Sequence, residues 1–229
     1  MGKLLKKLFS SFVAFATIAW SVGAGALAMP SPVHAIGEGM LVKASGPAVY
    51  YKAANGQRYV FPNEKTYFSW YRDFSGVVTI SDAELAAIPI GGNVTIRPGT
   101  KLVKITTDPK VYAVAPGGML HGIESEALAT TLFGADWASR VVDVPDSFFV
   151  NYTIGSSIST AVHPNGSLIK YAGDPAVYVV WDGMKRHVTT EAAMAANGFN
   201  SADVVETAVT YPDGSDITGR EDMLADVIY

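Results

Sequence analysis

The chain has no cysteine in its 229 residues. That absence excludes a disulfide framework, thiol redox chemistry, a cysteine nucleophile and any thiolate zinc site. Histidine is scarce too: four residues, none spaced as H-x-x-H or H-E-x-x-H, so no zinc ion is expected. Neither a G-x-x-x-x-G-K-[ST] nor a G-x-G-x-x-G string occurs, so nothing cradles a phosphate. Basic charge is short as well. From Ile36 onward 14 Lys and Arg face 21 Asp and Glu, a balance of −7, which argues against nucleic acid as a partner. Charged residues are only 17% against 49% hydrophobic ones, the composition of a folded chain rather than a disordered one.

The N-terminus reads as an export signal. Lys3, Lys6 and Lys7 precede an apolar stretch from Leu8 to Ala28, and Pro30 and Pro32 then break any helix. Small residues at Val33 and Ala35 suit a signal peptidase, which places cleavage between Ala35 and Ile36. Ala26-Leu27-Ala28 is an earlier alternative. The apolar stretch is long enough that an uncleaved anchor is the competing reading, and only in that case does the protein meet a membrane. Either way the body is expected outside the cytoplasm, extracellular or on the cell surface.

Behind the leader one pattern occurs three times. Leu41-Val42-Lys43, Leu102-Val103-Lys104 and Leu168-Ile169-Lys170 are followed by Pro47-Ala48-Val49-Tyr50, Pro109-Lys110-Val111-Tyr112 and Pro175-Ala176-Val177-Tyr178. Turn signals come next at Asn55-Gly56, Pro116-Gly117-Gly118 and Asp182-Gly183, so each copy reads as a hairpin. Twelve residues past each proline lie Tyr59, His121 and His187, which are expected to share one strand position. Asn63, Ser125 and Thr190 suit helix N-caps, with Glu64, Glu126 and Glu191 in the first turn and Gly134 and Gly198 as stops. Short strands follow at Val77–Ile80, Val141–Val144 and Val204–Glu206, and the units close near Val94, Ile158 and Ile217. The expected organisation is a signal segment at 1–35 and repeats at 36–98, 99–164 and 165–229, the last with an acidic tail. The fold class is α+β: three tandem hairpin-rich repeats of about 60 residues, each with one short helix, in a linear array.

The runs Tyr59-Val60-Phe61-Pro62-Asn63-Glu64-Lys65-Thr66-Tyr67 and Pro175–His187 resemble repeats in exported proteins of uncultivated candidate-phylum bacteria. The resemblance implies an envelope or extracellular module and brings no catalytic residues with it.

Searches for chemistry end in structural readings. His121 and His187 share their repeat position with a tyrosine, and His163 beside Pro164-Asn165-Gly166 reads as a solvated linker residue. Ser167-Leu168-Ile169-Lys170 matches S-x-x-K, but it lies on a strand, where i and i+3 face opposite ways. Asp213, Asp216, Glu221, Asp222 and Asp226 lack the EF-hand spacing and read as a solvated tail. Asn93, Asn151 and Asn165 head N-x-[ST] strings in turn-rich stretches. Tyr67, Trp70, Tyr71 and Phe74 fall on one helix face and are expected to pack on the hairpin carrying Val49 and Tyr59. Trp70, should that stripe be a glycan platform instead, and Phe68, which lies off it, are the binding candidates.

No catalytic residue, metal or cofactor is expected. The preferred function is an exported non-enzymatic envelope or cell-surface module whose partner is an envelope glycan or another surface protein. The alternative is a secreted hydrolase of envelope polysaccharide or peptidoglycan, with carboxylates assembled between repeats.

Overall fold

The structure, a computed structural model, describes residues 35–225. Val33, His34 and the apolar leader lie outside the described residues, as does Asp226. Alternating apolar residues and glycine turns build the same meander three times. Unit 1 comprises β1 (Leu41–Lys43), β2 (Tyr50–Lys52), β3 (Arg58–Val60), α1 (Glu64–Trp70), β4 (Val77–Thr79), α2 (Asp82–Ala86) and β5 (Ile90–Asn93). Its sheet order is β4-β1-β2-β3-β5, with an antiparallel centre and two parallel edges. Unit 2 comprises β6 (Leu102–Ile105), β7 (Tyr112–Ala115), β8 (Met119–Gly122), α3 (Glu126–Phe133), β9 (Val141–Val144), α4 (Asp146–Phe149) and β10 (Thr153–Ile154), paired in the same order. Unit 3 comprises β11 (Leu168–Lys170), β12 (Tyr178–Trp181), β13 (Met184–His187), α5 (Glu191–Ala196) and β14 (Val205–Glu206), and α6 (Asp222–Ala225) follows. Its fifth edge is reduced to single bridges, Lys185 to Asp213 and Val188 to Ile217. The α+β class and the three repeats stand. Units 1 and 2 each carry a second short helix, α2 or α4, that helical periodicity was too short to announce.

The caps fall where the residue types place them. Asn63, Ser125 and Thr190 accept from the N–H of Thr66, Leu128 and Ala193, leaving fewer orphan donors at each helix start. The closing residues also correspond: the N–H groups of Val94, Ile158 and Ile217 donate to the carbonyls of Val60, Gly122 and His187.

One expected equivalence is wrong. Tyr50, Tyr112 and Tyr178 do share a position, opposite Val60, Gly122 and His187. Consequently Tyr59 and His121 correspond to Arg186, and His187 has slipped by one. The third hairpin turns in two residues, Asp182 (φ 52) and Gly183 (φ 72), the positive-φ pair of a type I′ turn. The second needs three residues between Ala115 and Met119, and losing one inverts which face each later side chain takes.

The helices lean on their hairpins. Leu41, Val49, Tyr51, Tyr59, Phe61, Tyr67 and Trp70 form one core under α1. The aromatic stripe is shorter than expected, because α1 ends at Trp70 and Tyr71 is already extended (φ −127, ψ 151). Phe74 is therefore off the helix and 48% exposed.

The units do not lie in a line. Ile96 of unit 1 joins the unit 2 core with Val103, Tyr112 and Leu120, and Val205 of unit 3 joins Leu102, Leu132 and Phe133. Units 1 and 3 meet through Arg97, whose guanidinium donates to the carbonyls of Asn197, Gly198 and Leu224 at 2.7 Å each. Each unit thus touches both others. Single units of this size bury too little surface alone, and mutual packing removes the exposed ends an array would keep.

Candidate functional site

Five separate segments of chain converge beside the first hairpin. The approach to β2 (Pro47, Val49), the exit from β3 (Phe61, Pro62), α1 (Glu64, Tyr67), the bend at Phe74, and the end of β5 (Asn93) wall a groove of about 500 Å³, and Phe148 of α4 closes one side. That is the size of a small-ligand site.

Its wall is aromatic. Phe61 meets Tyr67 edge-on at 5.1 Å, and Phe74 stacks on Tyr67 at 4.5 Å. Phe68 abuts Phe74 at 5.2 Å on the outside of this cluster. The Tyr67 hydroxyl donates to the Asp73 carbonyl at 2.8 Å, and burial, helped by the Asp73 charge, pushes its pKa up to about 12. Tyr67 is therefore a neutral wall, not an acid or base.

The remaining polar groups are mostly engaged. Asn63 Oδ1 caps α1, and the Asn93 amide donates to Asn151 Oδ1 at 3.3 Å. Among the described residues Glu64 is the one carboxylate that lines the groove.

Among the described residues the wall of this groove is not repeated in the other units. At the position of Ala48, unit 2 has Lys110, whose side chain lies over Gly122 (the counterpart of Val60) and over the Tyr112 ring at 5.3 Å. In unit 3 the Val60 position holds His187, its ring 5.4 Å from that of Tyr178, and Tyr67 is replaced by Met194. What does recur is a cation over the equivalent tyrosine: Arg58 on Tyr50 at 5.2 Å, Lys110 on Tyr112 at 5.3 Å, Lys185 on Tyr178 at 5.4 Å. Arg58 and Lys185 share one strand position, two residues before Val60 and His187, whereas Lys110 reaches its tyrosine from the approach to β7, so the pair recurs from two positions.

The sequence candidates separate clearly. Phe68 is 42% exposed at the edge of the aromatic cluster. Trp70 is buried: its indole N–H donates to the Thr95 carbonyl at 2.9 Å and Arg97 covers its face, so no sugar can stack there. Ala35 and Ile36 precede the first strand in irregular chain.

His163 is not a solvated linker residue but is 2% exposed. Its Nε2–H donates to the Leu132 carbonyl and its Nδ1 accepts from the Tyr211 hydroxyl, both at 2.6 Å. Burial pushes the imidazole down to about 4, so it is neutral.

The acidic tail is solvated at Asp213, Asp216 and Asp222, as expected, but part of its charge is paired. Glu221 holds Arg186 with two bonds of 2.6 Å, and Asp213 pairs with Lys185. Ser167 is buried on β11's approach while Lys170 pairs with Glu206 at 3.2 Å, so they form no catalytic dyad. Among the described residues no group of three His, Asp or Glu is placed to hold a metal.

Sequence reasoning missed Pro47, Pro62, Asn93 and Phe148. Only the turn residues among them carried a local signal, and Phe148 arrives from another unit.

No family model matches the chain. It is 31% identical over 96 residues to Protein CgeD of Bacillus subtilis (strain 168), a match covering 40% of this chain and 22% of that protein. Among solved structures, the periplasmic assembly of the ESX-5 inner membrane complex is 12% identical, covering 86% of this chain and 61% of that one, with a TM-score of 0.23. An intact ESX-5 inner membrane complex gives the same identity and TM-score over 96% of this chain and 61% of that one. The chain thus spans less than two thirds of each of these three proteins, and a TM-score of 0.23 marks no shared fold.

Proposed function

We propose that this is an exported, non-enzymatic module of the envelope or cell surface that binds a partner through the groove of unit 1. The observation that carries the reading is the groove itself: an aromatic-walled cleft in one of three copies of the same meander, with Glu64 its one carboxylate among the described residues. Glycoside hydrolysis takes two carboxyl groups across the scissile bond, and among the described residues no second carboxylate lines the groove beside Glu64. The lysine-led apolar leader supports export, and among the described residues no helix is long and apolar enough to cross a membrane.

The test is an NMR titration of the exported protein with peptidoglycan fragments, chitin-type oligosaccharides and apolar peptides, run beside a turnover assay. The expected result is saturable shifts at Tyr67, Phe74 and Asn93 without product. Release of product from either glycan, abolished by Glu64→Gln, would establish the hydrolase instead.

A further inference from the structure

Resting on that groove reading, we infer that its occupant is a basic, apolar stretch of polypeptide: an extended segment in which proline or aliphatic side chains stand beside lysine or arginine. A sugar presents many hydroxyls and needs as many polar partners. Here the Asn63 carbonyl oxygen, the Asn93 amide and the Tyr67 hydroxyl are already bonded within the protein. Most of the remaining wall is carbon, contributed by Pro47, Val49, Phe61, Pro62, Phe74 and Phe148. Aromatic-lined grooves of this kind take extended apolar side chains, and about 500 Å³ holds a few of them, not the face of a folded domain.

Among the described residues Glu64 is the one charged group that lines the groove; Asp73, next to Phe74, and Lys65, next to Glu64, both lie outside the lining. Arg72, two residues before Phe74, donates to the Phe199 carbonyl of unit 3, and Arg58, two residues before Val60, lies over the Tyr50 ring, so neither arginine lines the groove. From Ile36 on the chain carries −7, so its wider field also favours a cation and repels an anionic polymer.

The experiment measures fluorescence anisotropy of three labelled peptides on the exported protein. All are built from proline, leucine and alanine; one carries lysines, one glutamates and one serines. Chitotriose serves as a competitor, and circular dichroism verifies that each variant is folded. The lysine peptide should bind at least tenfold tighter than the glutamate peptide and lose affinity as salt rises. Phe74→Ser should weaken it about tenfold and Glu64→Gln about two- to fivefold. Equal binding of all three peptides, still sensitive to Phe74→Ser, would overturn the basic preference and leave the groove reading standing. Binding of chitotriose but no peptide would overturn the inference in favour of a glycan. Binding of neither would overturn both.

Discussion

Replacing Arg97 by alanine should destabilise the protein by about 4 kcal/mol, more than any surface change. The side chain is 5% exposed and lies between the rings of Trp70 at 5.3 Å and Phe199 at 5.0 Å. Its three donated bonds end the carbonyl rows beyond α5 and in α6, where a cation suits the helix dipole. Orphaning three buried carbonyls costs roughly 2 kcal/mol apiece, and the two ring contacts add about 1 kcal/mol in all. Against this stands the desolvation of the guanidinium, which lowers its pKa from its ordinary value to about 10; relieving it returns about 3 kcal/mol. The balance is a clear loss. Arg97→Lys keeps the charge but not the planar fork, so it should lose about half as much. Urea unfolding followed by circular dichroism reads both variants, with the slope checking that the transition stays cooperative. A loss below about 1 kcal/mol for Arg97→Ala would refute the argument, because it would mean units 1 and 3 do not depend on this contact.

Trp70→Ala should cost about 3–5 kcal/mol by thermal or urea melts, since a buried indole and its bond to Thr95 are both lost. His163 makes stability acid-sensitive. Its folded pKa of about 4 lies below the usual 6.5, so the unfolded chain takes the proton first and stability falls from pH 6.5 toward 4 by up to about 3 kcal/mol. His163→Gln should be less stable at pH 7 yet show a flatter profile across that window; an unchanged slope would refute the assignment. Gly99 (φ 72) abuts the Gly166–Ser167 backbone at the seam of units 2 and 3, so Gly99→Ala should cost at least about 2 kcal/mol or prevent folding. Mass spectrometry of secreted protein should find Ile36 as the first residue, and recovery with Lys3, Lys6 and Lys7 intact would show an anchor instead.

What the chain announced by itself is everything governed by short-range chemistry. Proline, Gly-turn, cap and strand signals recur with nearly constant spacing, so the hairpins, the helices capped at Asn63, Ser125 and Thr190, and the core role of Tyr67 and Trp70 could be read in advance. Counting along the sequence failed where one residue changed a turn: Asp182-Gly183 closes a hairpin in two residues, and His187 thereby leaves the position of Tyr59 and His121. Tertiary structure alone decided the rest. His163 looks like a linker residue until unit 3 folds Tyr211 over it, and Arg97 looks like an ordinary arginine until two helix ends arrive. The groove is of the same kind, because Pro47, Phe61, Phe74, Asn93 and Phe148 lie in different segments with no shared period. Local propensity acts over a few residues and leaves a pattern in the chain; contacts between distant segments depend on packing, and packing leaves none.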